Sequence, residues 1–301
     1  MAIRLKRLHV ITNPASGGGT PAVETLHALF DGKAITWEAS LTERPGDAER
    51  LARAAAASGV DAVVAFGGDG TLMEVASGLV GSDVALGVLP GGTGNVMAVE
   101  LGVGLSLSRA AALLCGDLPA TSRRLDMGQI NDQPFLMRAS VGYEAVVAQE
   151  TDPELKSRLG VFAYGIAALQ ALRETQRARY RLTLDGREVT AEGVSCLIAN
   201  AGSIGRLNLS ISPSIDTDDG LLDVIVASRE VEFALAVAAN TIRLREFAAR
   251  FDHWQAREVI VEAHPPQPVQ VDGDYFGQTP VTASVLPAAV RVIVPADHPH
   301  R

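Results

Sequence analysis

Apolar runs and helical spacings alternate along the chain up to about Arg123. Leu8-His9-Val10-Ile11 is a short apolar run, and Asp61-Ala62-Val63-Val64-Ala65-Phe66 is a nearly continuous one, the pattern of a strand buried on both faces. Val84 to Leu89 repeats it. Between these runs, Gly46-Asp47-Ala48 opens an Ala-rich helix closed by Gly59, and Leu72, Val75, Ala76 and Leu79 recur at helical spacing. Val96 and Val99 mark a further helix, and Leu107, Ala111 and Leu114 another, stopped by Gly116 and Pro119. This alternation predicts an α/β domain built on a parallel sheet.

From Leu125 the pattern changes to short β-like runs: Phe135 to Val141, Arg179 to Leu184, Val194 to Ala199, Leu207 to Ile211, Leu222 to Val226, Val259 to Glu262, Val269 to Val271 and Val290 to Val294. They predict a β-rich, antiparallel sandwich or barrel-like second domain. Two helices interrupt it, one near Lys156 to Arg173 with Leu159, Phe162, Ile166 and Leu169 on one stripe, the other near Val231 to Phe247. The expected division is therefore residues 1–124 and 125–287, with His264-Pro265-Pro266-Gln267-Pro268 as a rigid loop.

The predicted strands of the first domain end in glycine-rich turns: Thr12-Asn13-Pro14-Ala15-Ser16-Gly17-Gly18-Gly19, Gly67-Gly68-Asp69-Gly70-Thr71 and Pro90-Gly91-Gly92-Thr93-Gly94-Asn95. In a parallel sheet such turns gather at the carboxyl edge, where open α/β sheets bind ligands. Gly67, Gly68 and Gly70 are expected to reach positive φ, so that backbone N–H groups cradle an anion. Thr71 and Glu74 have the spacing of a capping box, which places a helix N-terminus behind the glycines. Asp69 is the informative departure: a carboxylate beside a phosphate cradle is repelled unless a divalent cation lies between, which implies Mg²⁺. No segment reads G-x-x-x-x-G-K-[ST], and no strand leads into G-x-G-x-x-G, so an ordinary P-loop and a dinucleotide fingerprint are poor fits.

Composition narrows the class further. With 301 residues, 47% apolar and 20% charged, the chain is globular and long enough for two domains. A formal charge of −9 without a basic stripe argues against nucleic acid as a partner. Cys115 and Cys196 lie far apart and form no metal or redox pair, as expected of buried thiols in a reducing compartment. The run Leu8 to Ile11 is too short for a signal peptide, and Leu159 to Leu172 falls below the roughly 18 residues of a membrane span. The expected location is cytoplasmic, with transient visits to the membrane surface if the substrate is a lipid. There is no H-E-x-x-H and no G-x-S-x-G.

Asn13-Pro14 with Ser16-Gly17, then Gly67-Gly68-Asp69-Gly70-Thr71, then Pro90-Gly91-Gly92-Thr93-Gly94-Asn95 resemble the ordered motifs of the diacylglycerol kinase catalytic domain, shared by bacterial lipid kinases and sphingosine kinases. The resemblance continues through Leu125-Asp126-Met127-Gly128, Asp218-Asp219-Gly220-Leu221-Leu222-Asp223 and Val271-Asp272-Gly273-Asp274. It implies an ATP- and Mg²⁺-dependent lipid kinase whose last strand, within residues 288–301, returns to complete the first domain, with nucleotide and lipid in an interdomain cleft. It carries the nucleotide site over to Asn13, Ser16, Gly17, Gly67, Gly68, Asp69, Gly70, Thr71, Glu74 and Thr93. Thr42 matches a nucleotide-contacting threonine, or is an exposed loop hydroxyl.

The resemblance also implies roles for the remaining acids. Asp126 joins Asp69 in the Mg²⁺ and water network, unless it only pairs with a neighbouring arginine. Asp219, with the carbonyls of Asp216 and Leu221, would hold a second Mg²⁺ away from the reaction, the alternative being a plain acidic turn. Asp274 stands where the family usually has a glutamate as general base, although Asp272-Gly273-Asp274 is also a good hairpin turn. The lipid would be reached by peripheral membrane contact, with the helix carrying Leu159, Phe162, Ile166 and Leu169 either at its access route, Lys156 and Arg158 near anionic headgroups, or simply packed in the core, and with a homodimer left open. Two other readings stay open, an NAD kinase-like small-molecule kinase and a nucleotide- or lipid-binding regulator with weak turnover.

Overall fold

The computed structural model describes residues 3–14, 22–142, 145, 177–204, 209–212, 214–228 and 251–298. The expected helices near 156–173 and 231–247, and the site residues Ser16 and Gly17, lie outside these residues. The chain divides into two compact units, residues 1–126, 203–209 and 287–301, and residues 127–202 and 210–286. The first therefore takes in 203–209, which the sequence reading gave to the second. A local contact accounts for it: Glu100, itself buried, accepts the Ser203 N–H at 2.9 Å.

In the first unit β1 (Arg7–Thr12), α1 (Ala22–Phe30), β2 (Thr36–Leu41), α2 (Asp47–Ala57), β3 (Ala62–Gly67), α3 (Asp69–Leu79), β4 (Ala85–Pro90), α4 (Val96–Glu100) and α5 (Leu107–Cys115) follow in order. β5 (Ala120–Ile130) leads out of it. The strands lie parallel in the order β2-β1-β3-β4. Every residue of β3 and β4 is buried, which is why both read as unbroken apolar runs. Each fully buried Val or Leu there contributes about 1.5–3 kcal/mol, so the centre of this sheet is held by burial. β2, at the edge, alternates exposed and half-buried residues and gave no such signal.

The second unit begins within β5 and continues through β6 (Gln133–Phe135), β7 (Arg138–Gly142), β8 (Ala178–Leu184), β9 (Arg187–Gly193) and β10 (Ser195–Ala199). The short β11 (Ser203–Ile204) and β12 (Leu209–Ser210) pair with each other. β13 (Leu222–Ala227), β14 (Asp252–Ala256), β15 (Glu258–His264), β16 (Pro268–Val271), β17 (Asp274–Gln278) and β18 (Val281–Pro295) complete the chain. One antiparallel sheet runs β14-β13-β10-β7-β16-β17. Its Val141, Ile198, Val224 and Val269 share a core with Tyr180 and Leu182 of β8 and Val259 and Val261 of β15, the interior of an antiparallel sandwich. The predicted single run Phe135 to Val141 is two strands, because Leu136, Met137 and Arg138 give their N–H groups to the Asp272 carboxylate. β18 is shared: Val281 to Ser284 pairs with β15, while Val292 lies parallel to Leu86 of β4 and adds the last strand to the first unit.

No described helix is long and apolar enough to cross a membrane.

Candidate active site

The register brings the loop-bearing strand ends together. Thr12 pairs with Leu41 on one side and Phe66 on the other, and Gly67 pairs with Pro90. Thr42 donates its N–H to Thr12 O at 3.0 Å, Asn13 to Phe66 O at 3.3 Å and Gly91 to Gly67 O at 2.8 Å. Thr42, Asn13, the Gly67–Thr71 turn and the Gly91–Asn95 turn therefore leave one carboxyl edge side by side, the place where open α/β sheets take ligands.

The glycines serve a purpose other than the one expected. Gly68 has φ −88°, and neither Gly67 nor Gly70 has a positive φ. Close approach is what excludes side chains: a Cβ on Gly92 would sit 2.4 Å from Gly68 Cα, and one on Gly67 would sit 2.6 Å from Thr71 Oγ1. The two turns are pressed backbone to backbone. The left-handed position in the third turn belongs instead to Asn95, φ 54° and ψ 39°, a conformation Asn tolerates better than most residues. Its Oδ1 accepts the Gly92 N–H at 2.9 Å and its Nδ2 donates to Gly92 O at 2.6 Å, closing the turn and leaving Thr93 exposed at its tip. The Gly-Asn pair before a helix was the sequence signal for this role.

The capping box does not form. α3 starts at Asp69 with Gly68 as its N-cap and no side-chain cap bond. Thr71 is buried under Gly67, and Glu74 turns away from its own helix to accept the Gly46 and Ala48 N–H groups, each at 3.0 Å. The open N-terminus of α2 is thus a better partner for this carboxylate than the already started α3. One turn further along α3, a Cβ on Gly78 would lie 2.4 Å from Glu49 O, so α2 and α3 pack with no room for a side chain.

Asp69 is half-buried and spans the two turns. Its Oδ2 accepts the Val96 N–H and its Oδ1 the Met97 N–H, both at 3.1 Å, at the start of α4. With Gly67, Gly68, Pro90 and Asn95 it lines a small cavity below the turns. Asp126 is buried and accepts the Ala288 N–H at 2.6 Å through Oδ1, holding Ala288 at φ 48°. The adjacent Arg124 is engaged with Asp83 and with Ala288 O.

In the second unit, Asp272 and Gly273 have φ 47° and 102° and join Val271 to Asp274, the two-residue hairpin turn expected of Asp-Gly. The Asp272 carboxylate accepts three N–H groups, from Leu136, Met137 and Arg138, at 2.8, 3.0 and 2.9 Å. Burial pushes its carboxyl above the usual carboxylate range, and these donors act in the opposite direction. Asp274 is exposed, with exposed Tyr275 next to it. The acidic turn is closed by Asp219, exposed, whose Oδ1 accepts the Leu221 N–H at 2.9 Å while Oδ2 lies 3.4 Å from Gln255 Nε2.

These donors suit Mg²⁺ better than a cation that needs a full protein cage. Each carboxylate oxygen has two acceptor sites, so Asp69 keeps one on each oxygen after its two N–H bonds. Among the described residues no three His, Cys, Asp or Glu side chains cluster as a metal site. Mg²⁺ is commonly held by one or two carboxylates, with water and substrate phosphates completing its shell.

Comparison with known proteins bears on the whole chain. The diacylglycerol kinase catalytic domain matches residues 7–130, and the YegS C-terminal NAD kinase beta sandwich-like domain matches residues 137–294. A Mycobacterium tuberculosis diacylglycerol kinase is 31% identical over 301 residues, covering 96% of this chain and 95% of that protein. An uncharacterized Synechocystis protein is 32% identical over 242 residues, 78% of this chain but 55% of that longer protein. A crystal structure of a candidate diacylglycerol kinase from Bacillus anthracis str. Sterne superposes with a TM-score of 0.81 at 25% identity, covering 98% of this chain and 97% of that one. With both domains matched in order along nearly the full length, the chain belongs to the family of bacterial diacylglycerol kinases and YegS-like lipid kinases.

Proposed function

We propose that the protein is an ATP-dependent lipid kinase that transfers the γ-phosphate to a hydroxyl of a diacylglycerol-like lipid. The observation that carries this reading is the set of turns at one sheet edge, packed too closely for side chains and bearing Asn13, Thr42, Thr71 and Thr93. Phosphoryl transfer asks a protein mainly for positioning and charge neutralisation, and glycine turns backed by helix N-termini provide both for a triphosphate. Ser16 and Gly17 complete the nucleotide loop in this reading.

Asp69 and Asp126 organise Mg²⁺, which supplies charge neutralisation at the phosphates when bound. Asp69 also locks the Gly67–Thr71 turn to the start of α4, so phosphate-facing N–H groups on both turns keep a fixed spacing. Asp274 accepts the proton of the lipid hydroxyl; its exposed carboxylate makes no hydrogen bond to another described residue. Asp219, with the carbonyls of Asp216 and Leu221, holds a second Mg²⁺ that stiffens the acidic turn. The lipid is reached by peripheral contact with the membrane surface.

Incubating the protein with γ-labelled ATP, Mg²⁺ and a mixed lipid extract, then resolving the lipids, tests the reading. Label in a phosphatidic acid-like product is expected. Label on NAD with none in lipid would instead favour the small-molecule kinase, and ATP binding without transfer would favour a regulator.

A further inference from the structure

We infer that Glu74 is a positioning residue for the nucleotide, acting through Thr42 rather than by touching ATP; the inference rests on the kinase reading above. Glu74 is half-buried on α3, and both of its oxygens are engaged, Oε1 with the Gly46 N–H and Oε2 with the Ala48 N–H, each at 3.0 Å. Two acceptors on two donors fix both the place and the rotation of the α2 start. Between these donors, Asp47 turns its own carboxylate to the Glu43 and Arg44 N–H groups at 3.1 and 3.2 Å, which closes residues 43–47 into a self-bonded turn. The other end of this stretch is held where Thr42 N–H meets Thr12 O at 3.0 Å. Thr42 therefore sits on a short rigid segment held by β1 at one end and by Glu74 at the other.

The side-chain-free contact at Gly78 keeps α2 against α3, so the reach from Glu74 to the α2 N-terminus is set by packing. Charge points the same way. A free carboxylate beside a triphosphate would repel it, whereas one bound to a helix N-terminus has its charge offset there. α3 begins at Asp69 inside the glycine turn, so one helix holds both neighbouring loops, Asp69 the Thr93 loop and Glu74 the Thr42 loop.

The test is a double-mutant cycle on the intact chain with Glu74→Gln, Thr42→Val and both, reading the Kd for Mg²⁺-ATP, steady-state kinetics and Tm. Glu74→Gln keeps the shape but turns an N–H donor towards a backbone N–H. It should weaken ATP binding about tenfold, consistent with loss of one hydrogen bond to a charged group, and raise KM for ATP more than it lowers kcat. On the Thr42→Val background the same change should cost less than about twofold, the signature of a shared route. Additive losses would mean direct contact with the nucleotide, and a lowered Tm with unchanged Kd would mean a purely structural bond; either overturns the inference. If Glu74→Gln fails to fold, Gly78→Ala, whose Cβ would press on the Glu49 carbonyl and Ala52 of α2, displaces α2 while leaving the Glu74 carboxylate itself unchanged, and should weaken ATP binding in the same manner, unchanged binding again overturning it. Parent protein that binds no ATP would overturn the kinase reading together with this inference, whereas parent that binds ATP no better than Glu74→Gln overturns this inference alone.

Discussion

The β3–α3 turn and the β16–β17 hairpin both present acidic residues beside glycine, yet their carboxylates are in different states. At the β3–α3 turn, Asp69 and its helix mate Glu74 have each oxygen on a backbone N–H of a neighbouring loop. In the hairpin, Asp272 is more fully engaged still, with three donors, while Asp274, two residues on, is exposed at the strand start. A carboxylate already committed to N–H groups can position a loop or share a cation through its remaining acceptor sites, but its oxygens are held away from an incoming hydroxyl. An exposed one, like Asp274, is open to approach by another molecule. On the proposed reading, the hairpin separates holding (Asp272) from chemistry (Asp274) within three residues, while the β3–α3 turn combines them in Asp69.

The largest effect that could break this comparison is expected at Asp69. Asp69→Ala should reduce lipid phosphorylation below detection and, because two N–H groups at the start of α4 lose their acceptor, also lower stability by about 1–3 kcal/mol. Urea unfolding monitored beside turnover checks both. Full stability in the variant would make the Val96 and Met97 contacts incidental. Next is Asp272→Ala, which leaves three N–H groups without their acceptor and should destabilise by about 3 kcal/mol or more. Unfolding midpoints within about 0.5 kcal/mol of the parent, the range of ordinary surface changes, would erase the contrast between Asp272 and Asp274.

The remaining expectations are smaller. Asp219→Asn should lower bound-metal content and Tm while leaving ATP affinity alone; elemental analysis showing unchanged Mg²⁺ together with an unchanged melt would remove Asp219 as a ligand. Asp47 gives the smallest signal. The Glu43 N–H, and then Arg50, hold its carboxyl below the usual range. Its stabilising share is therefore complete above the ordinary carboxylate pKa and is lost as pH falls through the depressed folded value. Stability curves of parent and Asp47→Asn should differ at neutral pH and converge in acid, and a constant gap down to the acid limb would contradict that.

Much of this was legible in the sequence for identifiable reasons. The buried strands β3 and β4 announced themselves because both faces are covered, and the Asp272-Gly273 turn because two successive positive φ values favour those residues. The edge strands β2 and β14 passed unseen, since half-exposed TWEASL and DHWQA lack a continuous apolar run. What could not be read was where a carboxylate spends its oxygens. Thr71 and Glu74 have capping-box spacing, but the competing N–H groups at Gly46 and Ala48 lie 28 and 26 residues away in sequence. Likewise the positive φ expected at Gly67, Gly68 and Gly70 is absent, and the close approach of Gly68 to Gly92 that excludes side chains there is a tertiary fact that no local pattern records.

The most direct test of the central claim is γ-phosphate transfer from labelled ATP to diacylglycerol in mixed micelles by parent and Asp274→Asn, with ATP Kd measured in parallel. Asparagine keeps the size and turn preference of aspartate and removes only its basicity. The account predicts Mg²⁺-dependent labelling of the lipid by the parent, a rate lower by a factor of about 10² to 10⁴ in the variant, and the same ATP affinity in both. Lipid labelled as fast by Asp274→Asn as by the parent would contradict it.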